Sequence, residues 1–210
     1  MDYVAVANNT ADKLLVYSED QSGWKLCKKT DDVSICWRPS SEFSGNIYKG
    51  EGIVHASPDH VWQCLNPEPG GLRTKWDKNV QHFDVIEAVA ENVSVCRTVT
   101  PSAAMKIISP RDFVDVVLVK QYENGTLTSN AANVQHSDCP PQPGFVRGFN
   151  HPCGCFCVPI PREPEKTQLL CFFQTDLSGY LPQSVVDSFF PYTMSQFYSN
   201  LKKAVKVLES

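Results

Sequence analysis

The chain has 210 residues, of which 42% are hydrophobic and 20% charged, with a formal net charge of -4 and a sequence pI of about 5.7. This composition is typical of a globular chain and excludes an extensively disordered one. Because contacts to phosphate require clustered Lys and Arg, the acidic balance argues against binding to nucleic acid.

The N-terminal segment, residues 1–13, lacks the basic and apolar regions of a signal peptide. The sequence also lacks the run of about 18 apolar residues that a membrane-spanning helix needs. Without an export signal, the nine cysteines are expected to remain reduced thiols. We therefore expect a cytosolic chain.

The first third of the sequence predicts helices at either end of a group of strands. Apolar residues at helical spacing predict a helix over residues 10–21, and alternation predicts strands over 24–27, 33–37 and 46–53. Ser57 followed by Pro58 predicts the start of a second helix, which ends before Asn66.

The rest of the sequence predicts further strands and one long helix. Alternation and turn residues predict strands over 83–89, 93–99, 113–122, 126–134, 144–149, 153–158 and 168–176. Apolar residues spaced by three and four predict an amphipathic helix from Pro182 to Leu208, with a kink or a break at Pro191. The order of elements predicts an α+β fold in which a curved antiparallel sheet wraps around the C-terminal helix.

Several local motifs occur in one order along the chain. They are Ser-Pro-Arg-Asp-Phe-Val at 109–114, Phe-Val-Arg-Gly at 145–148 and Thr-Asp-Leu-Ser-Gly-Tyr-Leu-Pro at 175–182, preceded by Lys-Trp-Asp at 75–77. Over essentially the whole chain these motifs resemble those of the START family of lipid-transfer domains. The resemblance implies a helix-grip fold with an apolar tunnel between sheet and helix, and a single domain over residues 1–210.

The same resemblance implies a function. Members of the family bind one lipid per domain. We therefore expect a cytosolic, non-enzymatic carrier that moves one sterol-like lipid (cholesterol, an oxysterol or a bile acid) between membranes. Such a carrier needs no cofactor, works as a monomer and contacts the membrane surface transiently.

Four residues of the C-terminal helix are expected to close the tunnel over the lipid. In the family the corresponding helix face covers the ligand, and here the face carries Phe190, Met194, Phe197 and Leu201. The alternative is that this apolar stripe only packs the core.

Other candidate binding residues lie in the sheet and before it. The steroidogenic member of the family is thought to hold an acid and an arginine in its tunnel, at positions that align with Thr98 and Val117, so this charged pair is absent here. The Thr98 hydroxyl is expected to orient a ligand hydroxyl. Arg73 offers a charge to a carboxylated ligand, with a structural ion pair as the alternative. Arg111 and Asp112 point to opposite faces of a strand and are expected to stabilise the fold.

Residues 101–108 align with the loop that gates the tunnel in the family. Met105, Ile107 and Ile108 give this loop an apolar tip suited to shallow contact with a bilayer. The alternative is that these side chains are buried by packing of the loop.

Two other classes of function remain open. His151, Cys153, Cys155 and Cys157 are residue types that bind zinc, although cysteines at every second position of a strand lack the tight turn of a zinc knuckle. A cysteine-dependent lipid hydrolase would need a thiol activated by a nearby base, for which the sequence contains no recognisable motif. The alternative to both is that the cysteines are buried and behave as small hydrophobic residues.

Overall fold

The computed structural model describes residues 1–30 and 32–208. Helices in these ranges are α1 (Tyr3–Glu19), α2 (Pro58–Leu65), α3 (Arg73–Trp76) and α4 (Gln183–Val207). Strands are β1 (Lys25–Thr30), β2 (Val33–Pro39), β3 (Asn46–Val54), β4 (His82–Ala90), β5 (Val93–Thr100), β6 (Arg111–Gln121), β7 (Leu127–Asn133), β8 (Val146–Arg147), β9 (Phe149–Asn150), β10 (Cys153–Ile160), β11 (Glu163–Phe173) and β12 (Thr175–Asp176).

Most strands form one sheet in the order β1-β2-β3-β11-β10-β7-β6-β5-β4, with antiparallel neighbours throughout. The short β8 adds a parallel pairing to β6, and β9 pairs with β12 outside the main sheet. The single strand expected over 144–149 is therefore divided in two at Gly148. At that glycine a Cβ atom would lie 2.8 Å from Cζ of Phe113, so the backbone passes directly over the ring.

The curved sheet is covered on both faces, which explains the long apolar run in β6. Val114 and Val116 pack against Ala7 and Ala11 of α1 on one face. Phe113, one residue before Val114 and therefore on the opposite face of the strand, joins the core cluster that contains residues of α2 and α4. The expected α+β class, with a curved antiparallel sheet around a C-terminal helix, is confirmed.

Helix α1 begins seven residues earlier than the expected start at residue 10. The Asp2 side chain accepts a hydrogen bond from the Ala5 backbone N–H at 3.1 Å and so caps the helix at its true start. The buried positions of its first turns are Ala7, Thr10 and Ala11. Their weak apolar signal explains why periodicity revealed only the later part, which contains Leu14.

Helix α4 continues through Pro191 without the break that was one expected outcome. Proline removes one backbone donor, but the large side chains of Phe190 and Met194 on either side are buried and hold both turns in place. Further along, Tyr198 packs on Gly50, where a Cβ atom would lie 2.7 Å from the Tyr198 ring. The helix therefore lies directly on β3.

Adjacent residues at the start of β6 tie three segments together. Asp112, fully buried, accepts hydrogen bonds from Nε of Arg97 at 3.0 Å and from Nε of Arg147 at 2.8 Å. Arg111 donates to the backbone carbonyls of Leu177 and Ser178 at 2.9 and 2.8 Å. As their alternation predicts, the two side chains point to different partners, and both hold the fold. Among the helices of residues 1–30 and 32–208, none combines the length and the hydropathy that a membrane-spanning helix requires.

Candidate functional site

A cavity of about 270 Å³ lies between the concave face of the sheet and α4. Its volume lies just below the range of about 300–1,000 Å³ that is common for small-molecule sites. The apolar side chains of its wall are Leu65, Pro67, Val80, Phe83, Pro101, Ala103, Ile108, Phe113, Val117, Ala131, Phe172, Phe173, Leu177, Phe189, Phe190 and Phe197. A molecule held here would therefore meet mainly hydrocarbon and aromatic surface.

Helix α4 presents Phe189, Phe190, Thr193 and Phe197 to the cavity. These positions include two of the four that the sequence suggested for the helix, Phe190 and Phe197. Thr193 was missed because a threonine within an apolar stripe resembles an ordinary helix position. Its side chain adds a polar hydroxyl to the otherwise apolar helix face.

The other two suggested helix residues, Met194 and Leu201, are fully buried but are not among the cavity-lining residues. At about 100° per residue, Met194 is rotated away from the Phe189–Thr193 edge of the helix. Its Cε atom lies 3.1 Å from the position of a Cβ on Gly50, against β3. Leu201 lies one turn beyond Phe197, past the end of the cavity. Both residues pack the core, which was the stated alternative.

On the sheet, Thr98 of β5 and Val117 of β6 both line the cavity. Thr98 pairs directly with Phe113 in the register of the two strands, and directly opposed residues of an antiparallel pair share a face. At these two positions the cavity wall therefore presents one hydroxyl group and one apolar side chain.

Arg73 lines the cavity and also forms an ion pair. Its Nε donates to Oδ2 of Asp77 at 2.7 Å, and its guanidinium lies 5.2 Å from the centre of the Phe197 ring. Burial lowers the pKa of Arg73, but the charge of Asp77, its hydrogen bond with Arg73 and the nearby Cys155 and Cys171 together outweigh that effect and raise the pKa. The structural ion pair, which was the stated alternative, is therefore present, and the Arg73 side chain also lies on the cavity wall.

The loop over residues 101–108 contributes Pro101, Ala103 and Ile108 to the cavity wall. Backbone hydrogen bonds in both directions between Ala103 and Ile108 close it into a tight turn. At the tip, Met105 is 94% exposed and Ile107 51% exposed, whereas Ile108 is only 2% exposed. The three expected gate residues therefore divide into two that face outward and one that faces the cavity.

The sequence did not identify a polar cluster on the cavity wall. Asp115 of β6, Asn150 of β9 and Thr175 of β12 all line it, as does Ser129 of β7. Burial raises the pKa of Asp115 to about 7, against the opposing effects of a hydrogen bond from Asn150 and the charge of Arg147. The signal in the sequence that could have indicated this cluster is Asp115 itself, an acid that interrupts the apolar run from Phe113 to Val119.

The residues of the zinc hypothesis have separate surroundings. The His151 ring stacks on Phe43 at 4.6 Å between ring centres, and the Cys155 sulfur lies 3.2 Å from the sulfur of Cys171. Burial raises the pKa of both Cys153 and Cys157 well above its ordinary value, so these thiols stay protonated. Across residues 1–30 and 32–208, no three His, Cys, Asp or Glu side chains are grouped as metal ligands would be.

Comparisons with known proteins agree with the motifs. The START domain family matches residues 6–209. StAR-related lipid transfer protein 5 of Bos taurus is 62% identical over 201 residues, which cover 96% of this chain and 94% of that protein. The human protein of the same name is 63% identical over 196 residues, covering 93% of this chain and 92% of that protein. The solved structure of human StAR-related lipid transfer protein 5 superposes with a TM-score of 0.95 at 59% identity, covering 99% of this chain and 98% of that one.

Proposed function

This chain belongs to the START domain family, and from that premise we propose that it carries one sterol-like lipid in its internal cavity and transfers it between membranes. The observation that carries the proposal is the largely apolar cavity bordered by the sheet, α4 and the loop over residues 101–108. A lipid in such a site is shielded from water, which is the driving force for its uptake.

The wall of the cavity supports a sterol rather than an entirely apolar lipid. Aromatic side chains such as Phe113, Phe190 and Phe197 offer flat surfaces to a rigid ring system, while Thr98 and Thr193 add isolated hydroxyls. Apolar pockets with a few well-placed polar groups orient their ligands through those groups. Cholesterol, an oxysterol and a bile acid all fit this chemistry, and Arg73 favours a carboxylated ligand such as a bile acid.

The loop over residues 101–108 supports exchange at a membrane surface. Its outer side chains, Met105 and Ile107, are apolar and exposed, whereas Ile108 contacts the cavity from the inner side. Insertion of the tip into the outer part of a bilayer would remove apolar surface from water. Movement of the tip would at the same time displace a part of the cavity wall.

The proposal treats residues 1–210 as one lipid-binding domain that acts in the cytosol as a monomer and without catalysis. Support for one domain comes from the sheet, since α1 and α4 pack on opposite faces of the same strands. Carrier function requires only binding, release and membrane contact. None of these steps calls for a metal or a cofactor.

Transfer of a fluorescent sterol from donor to acceptor liposomes tests the proposal. The purified protein is expected to accelerate transfer, and Ala131→Phe, which places a ring in the cavity, is expected to abolish the acceleration. Ala88→Phe is the matched control, because Ala88 is exposed on β4 and distant from the cavity wall. Equal acceleration by both variants would contradict the proposed role of the cavity.

A further inference from the structure

Asp115 is a buried acid on the cavity wall to which the proposed function assigns no role. Side chains of β6 alternate between the two covered faces of the sheet, so Phe113, Asp115 and Val117 all point to the cavity. Asp115 is only 5% exposed. Burial of a carboxyl group in a strand that is covered on both faces costs free energy unless the group has hydrogen-bond partners.

One oxygen of Asp115 has such a partner. The Nδ2 atom of Asn150 donates a hydrogen bond to Oδ2 of Asp115 at 2.9 Å. Asn150 is itself fixed, because Oγ1 of Thr175 donates to its Oδ1 at 2.7 Å and Nδ2 of Asn133 donates to its backbone oxygen at 2.7 Å. With its own oxygen occupied, the Asn150 amide has to direct its NH₂ group to Asp115. Three strands therefore hold this carboxyl in one orientation.

The second oxygen has no partner in the described parts of the protein. Oδ1 of Asp115 is buried and accepts no hydrogen bond from any of those residues. Unpaired buried acceptors are rare in folded proteins, because each leaves a desolvated polar atom without compensation. Since Asp115 lines the cavity, a donor for Oδ1 has to come from the contents of the cavity: water when it is empty of lipid, and the lipid when it is loaded.

The charges around Asp115 do not fix it in one protonation state near neutral pH. Arg147 acts on it at a distance but donates its hydrogen bonds to Asp112 and to the backbone oxygens of Cys139 and Pro140. Arg97 also donates to Asp112. The titratable side chain opposite Asp115 on β5 is the thiol of Cys96, and Cys153 of β10 lies beyond β7; burial raises the pKa of both thiols. The charged side chains that share the cavity wall with Asp115 are Glu68, Arg73, Asp77 and Arg111. With no cation in contact, burial sets the pKa of Asp115 at about 7, so acid and carboxylate coexist near neutral pH.

We propose that the Asp115 carboxyl, oriented by Asn150, forms a hydrogen bond with a hydroxyl group of the bound lipid and thereby selects a hydroxylated lipid over the corresponding ketone. The inference rests on the proposed carrier function and adds a specificity residue to it. A hydroxyl group donates a hydrogen bond to the carboxylate form of Asp115 and accepts one from the acid form, so it can form a hydrogen bond in both protonation states. A ketone oxygen only accepts hydrogen bonds, so it can form one with the acid form of Asp115 alone.

Two probes that differ only at this group test the selection: cholesterol, with its single hydroxyl, and the ketone with the same carbon skeleton. Their dissociation constants are measured by competition against a fluorescent sterol at about pH 6 and about pH 8. The affinity of the wild-type protein for the ketone is expected to fall about tenfold from the lower to the higher pH, because the acid form of Asp115 is titrated away, whereas that for cholesterol changes by less than about threefold.

Asp115→Asn separates a ligand contact from a merely structural role. The amide does not titrate and still has a donor, so the variant is expected to bind the ketone equally at both pH values. Asp84→Asn is the matched control, since it makes the same acid-to-amide change at an exposed carboxylate outside the cavity wall and is expected to keep the wild-type pH response. Ketone and cholesterol responding alike in the wild type, or a ketone response that persists in Asp115→Asn, would overturn the inference. Failure of the wild type to bind either sterol at either pH would instead refute the proposed carrier function, and the inference with it.

Discussion

The Nε atom of Arg73 donates a hydrogen bond to Oδ2 of Asp77 at 2.7 Å, and this ion pair forms part of the cavity wall. Asp77 is almost completely buried, whereas the Arg73 side chain retains 27% exposure. The guanidinium therefore has donors left over after it has neutralised Asp77. It is suited to a second carboxylate, supplied by a ligand.

Replacement of Arg73 is expected to separate carboxylated from neutral ligands. Arg73→Gln should weaken binding of a bile acid about tenfold, because a charge-assisted hydrogen bond is lost, and change cholesterol binding by less than about threefold. Titration calorimetry with both ligands provides the measurement. Lys75→Gln, a neighbouring exposed cation outside the cavity, is the control and should affect neither. Equal losses for both ligands in Arg73→Gln would show that the arginine acts only on the structure.

The exposed tip of the loop over residues 101–108 is expected to govern the rate of exchange. Met105→Asp with Ile107→Asp should slow sterol transfer between liposomes about tenfold or more, since charged side chains resist insertion into a bilayer. Equilibrium binding of sterol in solution should change much less. Val16→Asp with Leu26→Asp alters two other exposed apolar side chains as a matched control. Parallel losses of rate and affinity in the loop variant would contradict a membrane role.

The buried Asp112 is expected to dominate the stability of its region. Asp112→Asn leaves Arg97 and Arg147 without their shared carboxylate and should lower the free energy of unfolding by about 3 kcal/mol. Asp84→Asn removes an exposed carboxylate that is 3.4 Å from His82 and should change it by less than about 1 kcal/mol. Urea unfolding followed by circular dichroism compares the two, and similar losses would refute the assigned role of Asp112.

Asp115 should give stability a pH dependence of known sign. Its pKa is raised from 3.8 to about 7 in the folded protein, so the folded state holds the proton more tightly than the unfolded chain. The resulting stabilisation is complete below about pH 4 and is lost as pH rises through about 7. The free energy of unfolding of the wild type, minus that of Asp115→Asn, should therefore fall across this interval by a few kcal/mol, on the order of 1.4 kcal/mol for each unit of the shift. Parallel curves for the two proteins would be inconsistent with a raised pKa.

Much of the architecture could be predicted from periodicity, because alternation in the strands and the three-four spacing of α4 reflect burial directly. Other features depend on contacts between distant segments. The true start of α1 depends on the Asp2 cap, and the split at Gly148 depends on the ring of Phe113. The continuity of α4 at Pro191 depends on the burial of its neighbours. Such contacts leave no periodic signal.

The candidate site shows the same division. A family resemblance suggested Thr98, Val117, Phe190 and Phe197, which all lie on the cavity wall, but spacing alone could not distinguish the cavity face of α4 from the core face that carries Met194. The cluster around Asp115 was not predicted, because Asn150 and Thr175 come from short strands far along the chain. Only the folded arrangement brings these groups together.

Native mass spectrometry of the purified protein equilibrated with sterol-containing liposomes tests the central claim most directly. We expect a complex of one sterol with one chain for the wild type and for Ala88→Phe, and no complex for Ala131→Phe, whose cavity is filled. Absence of the complex in the wild type, or an undiminished complex in Ala131→Phe, would contradict a carrier that holds its cargo between the sheet and α4.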